Sequence, residues 1–146
     1  MVRKFTSFLP KKHIPYFIAA LGVLGFLDSA YLSILHFRNE IPPCAIVSGC
    51  ETVITSVFSV IFGIPIALLG AIFYLAVTAL SISYITSLTY AKAKLLLVFS
   101  YFGLFVSLFL FLVQAFILNQ FCFYCILSEI FALFIYLFSL LLIRRV

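Results

Sequence analysis

Four cysteines are the residues here whose type and spacing can do chemistry: Cys44, Cys50, Cys122 and Cys125. Cys122 and Cys125 form a C-x-x-C pair within F-C-F-Y-C, placed where a long apolar run begins. Residues at i and i+3 share a helix face, close enough to close a small disulfide ring. The start of a helix also offers unpaired N–H groups and a partial positive charge, and both favour a thiolate. Cys44 and Cys50 supply a second pair. Three explanations fit four such cysteines. Structural disulfides would staple the chain, although a C-x-x-C ring staples little of it. A four-cysteine zinc site would need a spacing other than C-x5-C with a distant C-x-x-C. Thiol–disulfide exchange between the pairs would carry electrons, and spacing and placement favour this reading.

The elements that must position these cysteines are those of a membrane protein. The chain has 146 residues, 66% of them hydrophobic and 9% charged, with a mean hydropathy of +1.35. Ordinary water-soluble domains do not have that composition. The net charge of +5 would suit nucleic acid in a soluble protein, but no nucleic-acid motif is present and the basic residues cluster at the ends of apolar runs. The expected fold class is an all-α membrane protein of one domain, residues 1–146. Its architecture is a four-transmembrane-helix bundle, with a short amphipathic half-helix and the cysteine loop capping the outer face.

A basic head with Arg3, Lys4, Lys11 and Lys12 precedes an apolar run over residues 14–37. At about 1.5 Å per residue that run is roughly 36 Å long, enough to cross a bilayer with some tilt. It lacks the short core and small-residue cleavage site of a signal peptide, so it is expected to be retained. Gly22, Gly25 and Ser29 offer small-residue spacing for close helix contact. Asp28 in the same run is an intramembrane carboxylate, with a packing role or a chemical one both open. His36 reads as an interfacial residue. The segment R-N-E-I-P-P-C-A-I-V-S-G-C is a loop, because Pro42-Pro43 cannot continue a helix and Ser48-Gly49 permits a tight turn.

Residues 51–62 alternate in helical period, with Val53, Ile54, Val57, Phe58 and Ile61 on one side and Thr52, Thr55, Ser56 and Ser59 on the other. This predicts an interfacial half-helix over the bundle mouth. Gly63-Ile64-Pro65 breaks it. Further spans are expected over residues 65–84, with Gly63, Ala67 and Ala71 as a packing stripe, then 95–118 and 122–143. Lys92 and Lys94, with the head and with Arg144 and Arg145, leave only Arg38 on the other side. The positive-inside rule then places both termini in the cytoplasm and all four cysteines outside, where disulfides persist.

The run P-P-C-A-I-V-S-G-C, Ser56, G-I-P-I-A-L-L-G-A-I-F-Y and C-F-Y-C together resemble the vitamin K epoxide reductase family, and D-S-A-Y-L is similar to its bacterial and archaeal members. The resemblance runs from about Gly25 onwards. It implies a bundle around a quinone (menaquinone, ubiquinone or a related membrane quinone), with Cys44 and Cys50 as a shuttle pair and Cys122 and Cys125 as the active-site pair. Ser56 would lie near the quinone. Phe121, Phe123 and Tyr124 are expected to flank its ring or to face lipid, and Glu129 to relay protons, bond a quinone oxygen or cap a backbone group. Glu129 stands where animal members carry a tyrosine, and Ile66 where they carry a quinone-binding asparagine. Both departures count against epoxide reduction more than against quinone reduction. The implied partners are the membrane quinone pool and a thioredoxin-like protein outside the cytoplasm, separate because the thioredoxin-like domain fused in some bacterial members is not in these residues. A different class stays open: a non-catalytic membrane subunit or assembly factor stabilised by its disulfides.

Overall fold

The computed structural model describes residues 10–44 and 49–146. Arg3 and Lys4 of the basic head, and Ser48 of the expected turn, lie outside the described residues. Helix α1 runs Ile14–Arg38, α2 is the short Cys50–Ile54, α3 runs Ile66–Thr86, α4 Tyr90–Leu112 and α5 Phe123–Arg145. Four of these, α1, α3, α4 with its continuation to Leu118, and α5, are long and apolar enough to cross a membrane. Most of their large side chains point outward, as Phe102, Phe105 and Leu108 do on α4. That surface suits lipid rather than water.

Helix α1 is the centre of the bundle, packed chiefly against α3 and α5, while α4 leans on α5 and touches α3 less. The small residues of α1 make the first of these seams. A methyl group on Gly22 would strike the Thr78 hydroxyl, one on Gly25 would strike the Tyr74 ring, and Ser29 faces Gly70. Without a hydrophobic drive between helices in lipid, such backbone proximity is what holds them. Ser81 adds a buried bond, donating to the Pro15 carbonyl at 2.6 Å. The expected stripe on α3 is only partly used. Ala71 is buried, whereas Gly63 precedes the helix at φ +79° in a turn.

The helix ends follow local chemistry. Pro15 starts α1, and Asn39 ends it in the left-handed conformation at φ 54°, its N–H donating to His36. Lys92 donates to the Ser83 carbonyl at 2.9 Å, so a cation sits at the negative end of α3.

The segment between the cysteine loop and α3 departs from the helix expected over residues 51–62. Helix persists only over Cys50–Ile54, followed by a 3₁₀ turn at Val57–Ser59 and a hairpin pairing Val60–Ile61 with Ile64–Pro65. Hydroxyls break the ladder: Thr55 donates back to the Glu51 carbonyl at 2.6 Å, Ser56 to Val53 at 2.8 Å and Ser59 to Ser56 at 2.7 Å. Side-chain bonds of this kind compete with the backbone's own. The hairpin turns through Phe62 and Gly63, both at positive φ, the hand that matches strand twist. Phe62 is left 98% exposed at the tip.

Candidate functional site

The four cysteines meet at one end of the bundle. Cys44 and Cys50 are joined as a disulfide, with Cα atoms 6.3 Å apart. Cys122 and Cys125 are thiols. Cys50 (1% exposed) and Cys122 (0%) are buried against each other with Val53, and Cys44 and Cys125 pack around them. The loop disulfide therefore takes up two of the four thiolates that a zinc site would need. Among the described residues no group of three or more His, Cys, Asp or Glu side chains is placed to hold a metal.

Gly49 permits this approach. A Cβ there would stand 2.5 Å from the Phe121 carbonyl oxygen and 2.8 Å from its nitrogen, both fixed backbone atoms. Replacing Gly49 with alanine is therefore expected to lift Cys50 off Cys122. Exchange between the two pairs should slow by about tenfold to a hundredfold, while attack on Cys44 by an external thiol stays as fast. Single-turnover thiol trapping separates the two rates, and equal slowing of both would deny Gly49 this role.

Cys122 caps α5 in extended conformation, its carbonyl accepting the Ile126 N–H at 3.0 Å. Its thiol is lowered from the ordinary value to about 7, chiefly by a hydrogen bond with the Cys125 thiol. Burial opposes this, the backbone N–H groups of Cys125 and Tyr124 assist it, and the Asp28 charge opposes it. A cysteine at a helix start with such donors is a reactive one. Cys125, one turn deeper, opens instead on a cavity.

That cavity, of about 610 Å³, lies between α1, α3, α4 and α5 under the capping segment. Its walls are mainly apolar, as with Leu32, Ile66, Phe99 and Val106. Polar groups gather near Cys125: Tyr74, Gln114, Ser128 and Glu129. An apolar cavity with a few convergent polar atoms is the usual form of a small-molecule site. Tyr74 donates to the Ser128 carbonyl at 2.5 Å and lies 2.9 Å from its hydroxyl. Among the described residues, two buried side-chain oxygens have no hydrogen-bond partner, Asp28 Oδ2 and Glu129 Oε2.

Of the residues singled out from the sequence, Ser56, Cys125 and Glu129 line the cavity, and His36 joins them. Asp28 lies outside its walls, as do Phe121, Phe123 and Tyr124. Phe121 packs on Phe111 with ring centroids 6.0 Å apart, and Phe123 meets Tyr124 edge-on at 5.6 Å. Tyr124 packs on Tyr31 at 5.6 Å and reaches the Pro43 carbonyl at 3.5 Å. Of the three rings, Tyr124 is the one that joins the loop bearing Cys44 to the start of α5.

Three residues of the site carried no expectation: Tyr74, Ser128 and Gln114. Gln114 had a visible signal, as a lone amide inside an otherwise apolar span. It sits at 3% exposure in Val113–Leu118, where the chain winds as a π-helix, a feature frequent at functional sites.

Residues 16–140 match the model of the Vitamin K epoxide reductase family. No curated protein matches the chain.

Proposed function

Because the chain belongs to the vitamin K epoxide reductase family, we propose that it passes electrons from a reduced thioredoxin-like protein, through Cys44/Cys50 and then Cys122/Cys125, to a membrane quinone. Oxidoreductase activity and multi-pass membrane placement come with the family and the four apolar helices. The observation that carries the finer reading is the stacking order: loop disulfide, then buried Cys122, then Cys125 on an apolar cavity. The orientation that serves it has both termini cytoplasmic and the cysteines on the outer face, supported by the basic residues at the opposite end.

In this reading a donor thiolate attacks Cys44, the less buried partner, and the donor leaves oxidised with the loop reduced. The Cys50 thiolate then attacks Cys122 of the C-x-x-C disulfide and releases Cys125 as a thiolate. Cys44 resolves the Cys50–Cys122 bond, and Cys122 leaves as a thiolate at the start of α5, where helix N–H groups favour the charge. The loop disulfide is restored and two thiols remain at the start of α5, the arrangement of cysteines described above.

The cavity fits a quinone ring in size and lining, and the unpartnered Glu129 Oε2 offers a bond to a ring oxygen. Ser56, Tyr74, Ser128 and Glu129 would hold such a ring beside Cys125, with Phe99 and Val106 against its apolar side. A bound quinone supplies the acceptor for two electrons and two protons. Cys122 and Cys125 give up both electrons and both thiol protons as their disulfide forms, so the balance closes without another reactant. Fully reduced protein mixed with an excess of a menaquinone or ubiquinone analogue should regain both disulfides over two turnovers, with one quinone reduced for each. Thiols that stay free would refute the proposal.

A further inference from the structure

Gln114 joins two parts of the site that the sequence sets far apart. Its side chain accepts a hydrogen bond from the Cys122 backbone N–H, at 3.1 Å to Oε1, and donates one to Glu129, at 2.6 Å from Nε2 to Oε1. The two ends cannot be interchanged. A backbone N–H only donates, so the end of the amide that meets Cys122 is its carbonyl, and the NH₂ end must point at Glu129. The Gln114 backbone carbonyl is engaged as well, accepting the Gln120 N–H at 3.1 Å. The residue is therefore held at both main chain and side chain inside the π-helical stretch.

A consequence follows for Glu129. Facing an NH₂ group, its Oε1 is an acceptor whether or not the carboxyl carries a proton. Any proton on that carboxyl therefore sits on Oε2, the buried oxygen without a partner on a residue of the cavity wall. We infer that Gln114 is a positioning residue: it selects the oxygen on which Glu129 carries its proton and couples that oxygen to the place of Cys122. When the C-x-x-C turn shifts between dithiol and disulfide, the Cys122 amide moves its acceptor, and the carboxyl moves with it. The donor hydrogen at Oε2 is thereby presented to an acceptor oxygen of the cavity's ligand in step with the thiols. The inference rests on the quinone reading only in naming that ligand.

Infrared difference spectra of the full chain in detergent, without quinone, test it. A soluble dithiol–disulfide couple sets the thiol state, at an acid pH where the protonated carboxyl band is full. The Glu129 band is identified by its loss in Glu129→Gln. In the wild type it is expected to shift between the dithiol and disulfide states. In Gln114→Met the band should move and stop responding to thiol state, and the quinol-forming kcat should fall about tenfold with KM little changed. Gln114→Asn keeps the amide but is a methylene too short to bridge, and should lose the response likewise. A wild-type band insensitive to thiol state, or a full response in Gln114→Met or Gln114→Asn, would overturn the inference. A band that responds as expected in a protein that reduces no quinone would sink the quinone reading and leave the role of Gln114 standing. Quinone reduction with an insensitive band would do the reverse.

Discussion

Replacing Cys50 with alanine is expected to cut electron flow by about a thousandfold or more, while leaving the Cys44 thiol able to trap a donor whose single reactive cysteine is activated as an aryl disulfide, the aryl thiol leaving as the donor–Cys44 bond forms. The reason is geometric. Cys50 is buried on Cys122 and Cys44 lies at the edge of the same cluster, so one cysteine of the loop meets the outside and the other meets the C-x-x-C. Such a donor has no second cysteine to resolve its bond to Cys44, and without Cys50 the loop has none either, nor any thiol to carry electrons inward. A reductant-sensitive band of donor plus protein should therefore accumulate in Cys50→Ala and vanish in Cys44→Ala. Trapping through Cys122 in Cys44→Ala, at a yield equal to that through Cys44, would show that the loop pair is not attacked first.

The second large effect divides Cys125 from Cys122. Cys125 lines the cavity and Cys122 does not; Cys122 is instead packed on Cys50. In Cys122→Ala the thiol of Cys125 is left without its C-x-x-C partner, in the first turn of α5 and on the cavity wall. A thiolate against a quinone ring is expected to give a visible charge-transfer absorbance, lost when the quinone is extracted. Cys125→Ala should give no such absorbance, yet still form the Cys50–Cys122 disulfide. Absorbance in Cys125→Ala instead, with none in Cys122→Ala, would exchange the two roles.

Much of this was legible in the residues, for physical reasons that can be named. Apolar runs long enough to span a bilayer have little choice but helix, because lipid offers no partner for a free backbone group. Gly22, Gly25 and Ser29 marked the α1–α3 seam, since small residues at helical spacing are what close contact needs. The cysteines' convergence followed from charge placement and spacing. The capping segment was harder to read. Its helical period was real, but Thr55, Ser56 and Ser59 sit where their hydroxyls reach back to backbone carbonyls and end the helix early. The hairpin's turn uses Phe62 at positive φ, which no turn signal announces for a bulky residue.

The aromatics of F-C-F-Y-C show a different limit. In a chain with 19 Phe and 8 Tyr, residue type says little about whether a ring faces a ligand, lipid or a loop. Their facing is set by the rotation of α5, and that rotation is fixed by packing against α1 and α4. Gln114 meets Glu129 from the end of the third span, where the chain winds as a π-helix and departs from the register that helical spacing assumes. Glu129 was visible as a charge in an apolar run. Its partner lies in a local winding that periodicity does not encode.

The central claim is that donor thiols and quinone are joined through these four cysteines. Its most direct test is quinol formation by the purified full chain, supplied with a reduced thioredoxin-like donor and a menaquinone or ubiquinone analogue. Quinol is expected to appear in amounts equal to the donor dithiol consumed, and to be lost when Cys44, Cys50, Cys122 or Cys125 is replaced in turn. A donor that stays reduced beside unreacted quinone, with the Cys44–Cys50 bond intact throughout, would contradict the claim and leave the chain a non-catalytic membrane subunit stabilised by its disulfide.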